Sequence, residues 1–205
     1  MLCGGTVELA WAASVDSVCV LLQGQLWSTY SKIGYYSWHH VFAAEMLAPF
    51  SVTPMMLMSE MPSNLASEGE AAGSPMMVAY SVPAVSFDIQ KLSIVPFGPT
   101  QPLQVPACNR SDFVVFHVAK VYASGWALLG ELDKWVPVSP ARFRSVSQDT
   151  FSISALVAGK VGEVVHVAFS NPSLKVVVVD VTIQSNGRAL VTQPTNGDPA
   201  FVTSF

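Results

Sequence analysis

Apolar and polar residues alternate with a period of two along most of this chain, the spacing of a pleated strand rather than of a helix. The alternation is clearest in "FVVFHVAKVYA" (113–123), "FSISALVAG" (151–159), "GEVVHVAFS" (162–170) and "LKVVVVDVTIQ" (174–184). "MVAYSV" (77–82), "LSIVPF" (92–97) and "GRALVTQ" (187–193) extend the series. Each run is short, rich in valine or phenylalanine, and bounded by Gly, Pro, Asn or Ser, so each is predicted to be a strand. In 163–169 the pattern puts Val164, His166 and Ala168 on one face and Val165, Val167 and Phe169 on the other. Ser185-Asn186-Gly187 has the Asn-Gly step of a tight hairpin turn, and Lys160-Val161-Gly162 sits where one strand must give way to the next.

Helical periodicity is confined to "VFAAEMLA" (41–48) and "MMLMSEM" (55–61), both short. Fourteen prolines spread along the chain also disfavour long helices. The expected fold is all-β, mainly an antiparallel β-sandwich, preceded by a short mixed N-terminal segment containing little helix. The expected organisation is N-terminal strands and a short helix over 1–58, an exposed polar loop over 59–75, the sandwich over 76–193 and a tail over 194–205.

Composition adds an interface to this picture. Of 205 residues, 51% are hydrophobic and only 12% charged, about half the usual charged share. Such a chain exposes apolar surface unless a neighbour covers it. The ten basic residues are scattered singly in a chain of formal charge −4, so no phosphate-neutralising stripe for nucleic acid is expected. No run reaches the roughly 18–20 apolar residues of a membrane helix, so no membrane partner is expected either. The opening "MLCGGTVELAWAASVD" carries Glu8 and Asp16 where a signal peptide would be apolar, and it reads as an internal segment. Cys3, Cys19 and Cys108 are odd in number and far apart, which suits free thiols in a reducing, cytoplasmic setting. Asn109-Arg110-Ser111 matches a glycosylation acceptor pattern that matters only in a secreted protein.

The residues that carry chemistry form no complete catalytic constellation. Asp16, Asp88, Asp112, Asp133, Asp149 and Asp180 are isolated, most of them beside turns; Asp180, inside a valine run, is expected on a solvent face or edge, or accepting a hydrogen bond. His39 and His40 point to opposite faces of a strand and so do not share a metal. His117 and His166 sit in strands between apolar neighbours, either as a cross-strand pair or as separately satisfied core or edge histidines. No Gly-x-Ser-x-Gly elbow, cysteine–histidine set, phosphate loop or metal-ligand spacing occurs, so catalytic residues, metal and cofactors are all expected to be none. Trp11, Trp27, Trp38, Trp126 and Trp135 lie near expected turns or strand ends. Tryptophans there either plug the ends of a core or stack on sugar rings.

One stretch points further. In "VCVLLQGQLW" (18–27) an apolar strand runs into a Gln-Gly-x-x-Trp element. It resembles the segment near the end of the catalytic barrel in raffinose synthases and seed imbibition proteins, members of the α-galactosidase superfamily in glycoside hydrolase family 36. Gln23, Gly24 and Trp27 stand at the matching positions. "PLQVPACNRSDFVVFHVAKVYASGWALLGELDKW" (102–135) and "LVAGKVGEVVHVAFSNP" (156–172) are similar to the family's C-terminal sandwich. The chain departs from the family at "VELAWAAS", where a Trp-Asn pair is usual, and at "DKWVPVSPARF", which replaces an Asn-Met-Phe-Asn stretch.

The resemblance implies a C-terminal accessory sandwich of an enzyme that transfers or hydrolyses α-galactosyl units. The catalytic aspartates of that family lie in an upstream (β/α)8 barrel, so no aspartate here inherits their role. The implied partners are a galactoside and that barrel, and the candidate substrate-binding residues are Gln23 and Trp27. A stand-alone β-sandwich that binds carbohydrate or protein, and a structural protein of jelly-roll type, are the alternatives.

Overall fold

The computed structural model describes residues 17–21, 24–58, 77–81, 92–109, 111–194, 196 and 198–203. The loop expected at 59–75, together with Gln23, Trp11, Asp16, Asp88, Cys3 and Arg110, lies outside the described residues. The described residues are almost entirely antiparallel β-structure, as the period-two pattern predicts. In chain order the strands begin with β1 (Ser17–Leu21), β2 (Gly24–Ile33), β3 (Tyr36–Ala44) and β4 (Phe50–Val52), and the short helix α1 (Pro54–Met58) follows. Then come β5 (Met77–Ser81), β6 (Ile94–Phe97), β7 (Leu103–Val105) and β8 (Val114–Lys120). The C-terminal part holds β9 (Ala127–Gly130), β10 (Phe143–Gln148), β11 (Ser152–Ala158), β12 (Val164–Ser170), β13 (Val176–Thr182), β14 (Arg188–Pro194) and β15 (Phe201–Thr203).

Residues 41–44, expected to begin a helix, belong to β3 instead. The run Ala43-Ala44-Glu45-Met46 favours a helix locally, but β2 and β8 take up the backbone of 41–43 on both sides, pairing Val41 with Ser28 and with Phe116. Two ladders of hydrogen bonds outweigh propensity differences of a few tenths of a kcal/mol per residue. Residues 55–58 of the second expected helix fall in α1, with Pro54 at its first position, where the missing amide N–H costs nothing, and 59–61 lie outside the described residues.

The largest sheet has six strands in the order β1-β2-β3-β8-β5-β6, so strands from both sides of 59–75 share one sheet. One face presents Leu26, Val41, Ala43, Met77, Ala79 and Val118, which pack with the β4–β7 pair and Leu57 of α1 in one core. The other face presents Ile33, Trp38, Val78 and Tyr80, which join the core of the C-terminal strands. There a four-stranded sheet, β10-β11-β14-β15, and a three-stranded sheet, β13-β12-β9, bury their inward side chains in that common core. In β12, Val165, Val167 and Phe169 are buried while Val164 and His166 are exposed, and burial becomes two-sided at Ala168.

The Asn186-Gly187 turn is tight, with Gly187 at φ +74° and its N–H donating to the Gln184 carbonyl. It does not close the hairpin expected for it. β13 pairs with β12 and β14 with β11, so the turn is a corner that carries the chain from one sheet to the other. Residues 201–203, expected in a free tail, add β15 to the edge of β14.

β9 is an edge strand of its sheet, and edge carbonyls need partners when buried. Side chains of the six-stranded sheet supply them. Trp38 Nε1 donates to the Leu128 carbonyl at 2.8 Å and Tyr80 Oη to the Leu129 carbonyl at 2.7 Å. Ser31 Oγ donates to the Val138 carbonyl just beyond β9. These three bonds fix the large sheet to the 128–138 segment.

Gly24 of the Gln-Gly step sits at a tight corner. It opens β2 opposite Leu21 in a hairpin with β1, at φ +147°, where side chains other than hydrogen are strained. A Cβ there would also stand 2.7 Å from Met46 Cα and 2.8 Å from the Glu45 carbonyl. Gly24→Ala is therefore expected to destabilise the chain by about 1–3 kcal/mol, read as a lower urea midpoint at unchanged m-value. A midpoint equal to the parent would show that this corner relaxes freely.

Candidate functional site

Trp27, in the middle of β2, lies directly opposite Phe42 of β3, and the ring centroids are 5.1 Å apart. Phe42 in turn meets Phe113, the residue before β8, at 5.0 Å, and Phe113 meets Trp135 at 6.0 Å. Four aromatic rings thus form a continuous row. The strand pairing explains it: Trp27 and Phe42 fall on the same face in register, and Phe113 enters at the start of the next strand over. Trp135 reaches the row from the loop after β9 and is 65% exposed, while the other three rings are half-buried. Of the two sequence-nominated binding residues, Trp27 is in this row and Gln23 is outside the described residues.

The remaining tryptophans divide cleanly. Trp38 and Trp126 are core residues, 4% and 5% exposed. Phe42 and Phe113 were not singled out by sequence as binding residues, and Trp135 only as one of five tryptophans able to plug a core end or stack on a sugar ring. Their signal is aromatic residues that fall on one face once strands are paired, and the pairing itself is not written in any one segment.

The histidines organise a core. His39 and His40 face opposite sides of β3, as expected, and both are buried. The His117–His166 cross-strand pairing, one of two readings open from the sequence, is not formed. His117 on β8 is opposite His40 on β3, with Nδ1 to Nδ1 at 2.8 Å. His166 on β12 hydrogen-bonds Asp180 on β13 at 2.7 Å, on an exposed face. Asp180 therefore fills both of the structural roles expected for it.

Between two Nδ1 atoms only one hydrogen fits, so one ring donates and the other accepts. Burial lowers His40 to about 4, with the charge of His39 adding to the effect, and lowers His39 to about 4. His117 falls to about 3 through burial, aided by the charge of His40. All three rings are neutral at pH 7 and closed to solvent, which suits packing rather than proton transfer to a substrate. Burial also raises the Tyr80 hydroxyl well above its ordinary range, keeping it a donor to Leu129.

Among the described residues, no group of three or more His, Cys, Asp or Glu is placed to hold a metal ion. No helix among them is long and apolar enough to cross a membrane. Cys108 is a free, half-buried thiol beside the Ala43 carbonyl. Asp149 serves its own turn, accepting from the Phe151 and Ser152 amides, and these bonds hold its carboxyl below the usual range. No family model and no curated protein matches the chain.

Proposed function

We propose that this chain is the C-terminal accessory β-sandwich of a raffinose synthase-like enzyme, and that the aromatic row forms one rim of its α-galactoside site. The observation that carries the reading is a convergence. Two of the three resembling stretches, 18–27 and 102–135, supply Trp27, Phe113 and Trp135, and Phe42 joins them into one row. A pyranose has an apolar C–H face and a polar hydroxyl rim, so rings that are half-buried and partly wet suit its face. In the whole enzyme the chemistry would come from two carboxylates of the upstream barrel, and this chain would contribute packing and stacking.

Raffinose titrated into the purified chain, followed by ligand-observed NMR, should show weak binding through the galactosyl protons. Millimolar affinity is expected, because a rim is only part of a site. Trp27→Ala and Trp135→Ala should each abolish the signal, and sucrose should give a weaker one. The chain alone should neither hydrolyse p-nitrophenyl α-galactoside nor transfer galactose from galactinol. Binding of raffinose that survives loss of both tryptophans would remove the row from the account. Turnover that disappears with a single Asp substitution would overturn the accessory role.

A further inference from the structure

The ten basic residues look scattered in sequence, yet three of the chain's four arginines line one cavity of about 670 Å³. Arg142, Arg144 and Arg188 stand there with Lys134 and a single lining carboxylate, Glu131. The strand pairing brings them together. Ala158 of β11 is opposite Arg188 of β14, and on its other side its N–H donates to the Arg142 carbonyl. Arg142 and Arg188 therefore flank one residue across the end of the four-stranded sheet, with backbones roughly 9–10 Å apart. Arg144 is the extra residue where the β10–β11 register shifts, and a bulge of this kind re-aims its side chain.

The charges are not equivalent. Arg142 uses four of its five N–H donors: Nε donates to Glu131 at 2.9 Å, Nη2 to Glu163 at 2.6 Å, and Nη1 to Glu163 and the Ala158 carbonyl. That pairing holds the Glu163 carboxyl well below its usual range. Lys134 is paired with Asp133 at 3.0 Å. Two guanidinium groups are left without a carboxylate among the described residues. Arg144 makes one bond, to the Pro140 carbonyl at 3.3 Å, and the Arg188 side chain has no partner among the described residues.

We propose that this cavity is an anion site that takes the phosphoryl group of a small phosphorylated molecule between Arg144 and Arg188. The planar guanidinium fork donates two parallel hydrogen bonds to such a group. Glu131 and Glu163 hold Arg142 as a rigid wall and keep the cavity from being uniformly basic. A nucleic acid would need a stripe of cations, and this site offers two at one point. The volume falls within the roughly 300–1,000 Å³ of small-molecule pockets, room for more than a bare phosphate. None of the row's four rings lines the cavity, although Trp135 falls between its lining residues Lys134 and Val136, and the proposal does not depend on the galactoside reading.

Calorimetric titration at low salt tests it with galactose 1-phosphate, inorganic phosphate, galacturonate and galactose as probes. Galactose 1-phosphate should bind, phosphate more weakly, and galactose should give no more than the weak millimolar binding assigned to the aromatic row. Arg144→Gln and Arg188→Gln should each weaken binding by roughly tenfold or more, since hydrogen bonds to charged groups are the strong ones. Their thermal melts should match the parent, because both side chains are exposed and outside the Arg142 network. Absence of heat with either phosphate probe, unchanged affinity in both arginine variants, or galacturonate binding as tightly as galactose 1-phosphate would each overturn the proposal.

Discussion

Acidification from pH 7 to pH 5 is expected to remove several kcal/mol of folding stability from this chain. Unfolded, each histidine takes up a proton near its ordinary pKa of 6.5; folded, His39 and His40 do so only at about 4 and His117 at about 3. The folded-state values are lowered, so the unfolded chain binds more protons throughout the interval between them. Stability is therefore full above about pH 7, falls as pH drops below 6.5, and levels off once the folded state also protonates near pH 4. Each histidine contributes up to about 1.4 kcal/mol per pH unit inside that window. From pH 7 to 5 the three together amount to about 4–6 kcal/mol, comparable with the whole stability of many domains. His39→Phe offers the cleanest check, because its Nδ1 has no hydrogen-bond partner among the described residues and its Nε2 contact with Ser37 Oγ is long at 3.3 Å. The variant should lose about a third of the acid slope. Urea midpoints that stay flat between pH 7 and 5 would show that these rings are not held neutral by burial.

The reading of the chain succeeded where local chemistry and long-range pairing agree. β8 and β11 to β14 combine valine-rich alternation with Gly, Asn or Pro at their ends, so each segment carries its own evidence of being a strand. The helix expected over 41–48 is absent: Ala43 to Met46 suit one locally, but partners far along the chain draw 41–44 into β3. The Asn186-Gly187 corner shows the same division: the turn was legible, the sheets it joins were not. Site residues depend on such pairings even more. His40 and His117 are 77 positions apart and meet only through the β3–β8 register. Arg142, Arg144 and Arg188 read as isolated charges until a bulge and two ladders place them around one cavity. Trp27 could be nominated early because a short motif surrounded it, whereas Phe42 had no motif at all.

Trp38→Ala is expected to be among the most damaging single changes in the molecule, and Trp27→Ala among the mild ones. Both tryptophans are on neighbouring strands of one sheet and on the same face, since Trp27 pairs with Phe42 and Ser31 with Trp38. Their surroundings differ. Trp38 is 4% exposed, packs into the larger core and donates to the Leu128 carbonyl. Truncating a packed aromatic costs about 3–5 kcal/mol. Leaving the buried edge carbonyl of β9 without its donor adds about 1–3 kcal/mol. Trp27 is half-buried and touches one ring on its own sheet, so its removal should cost about 1 kcal/mol, in the range of partly exposed sites. Trp38→Phe separates packing from hydrogen bonding: it keeps most of the apolar contact and should cost only the bond, about 1–3 kcal/mol. Urea melts of the three variants at pH 7 give the comparison. If Trp27→Ala proves as costly as Trp38→Ala, the row is part of a closed core, and its rings are not free to receive a sugar. If Trp38→Phe matches Trp38→Ala, the indole-to-β9 bond, rather than packing, is what fixes the two halves of the molecule together.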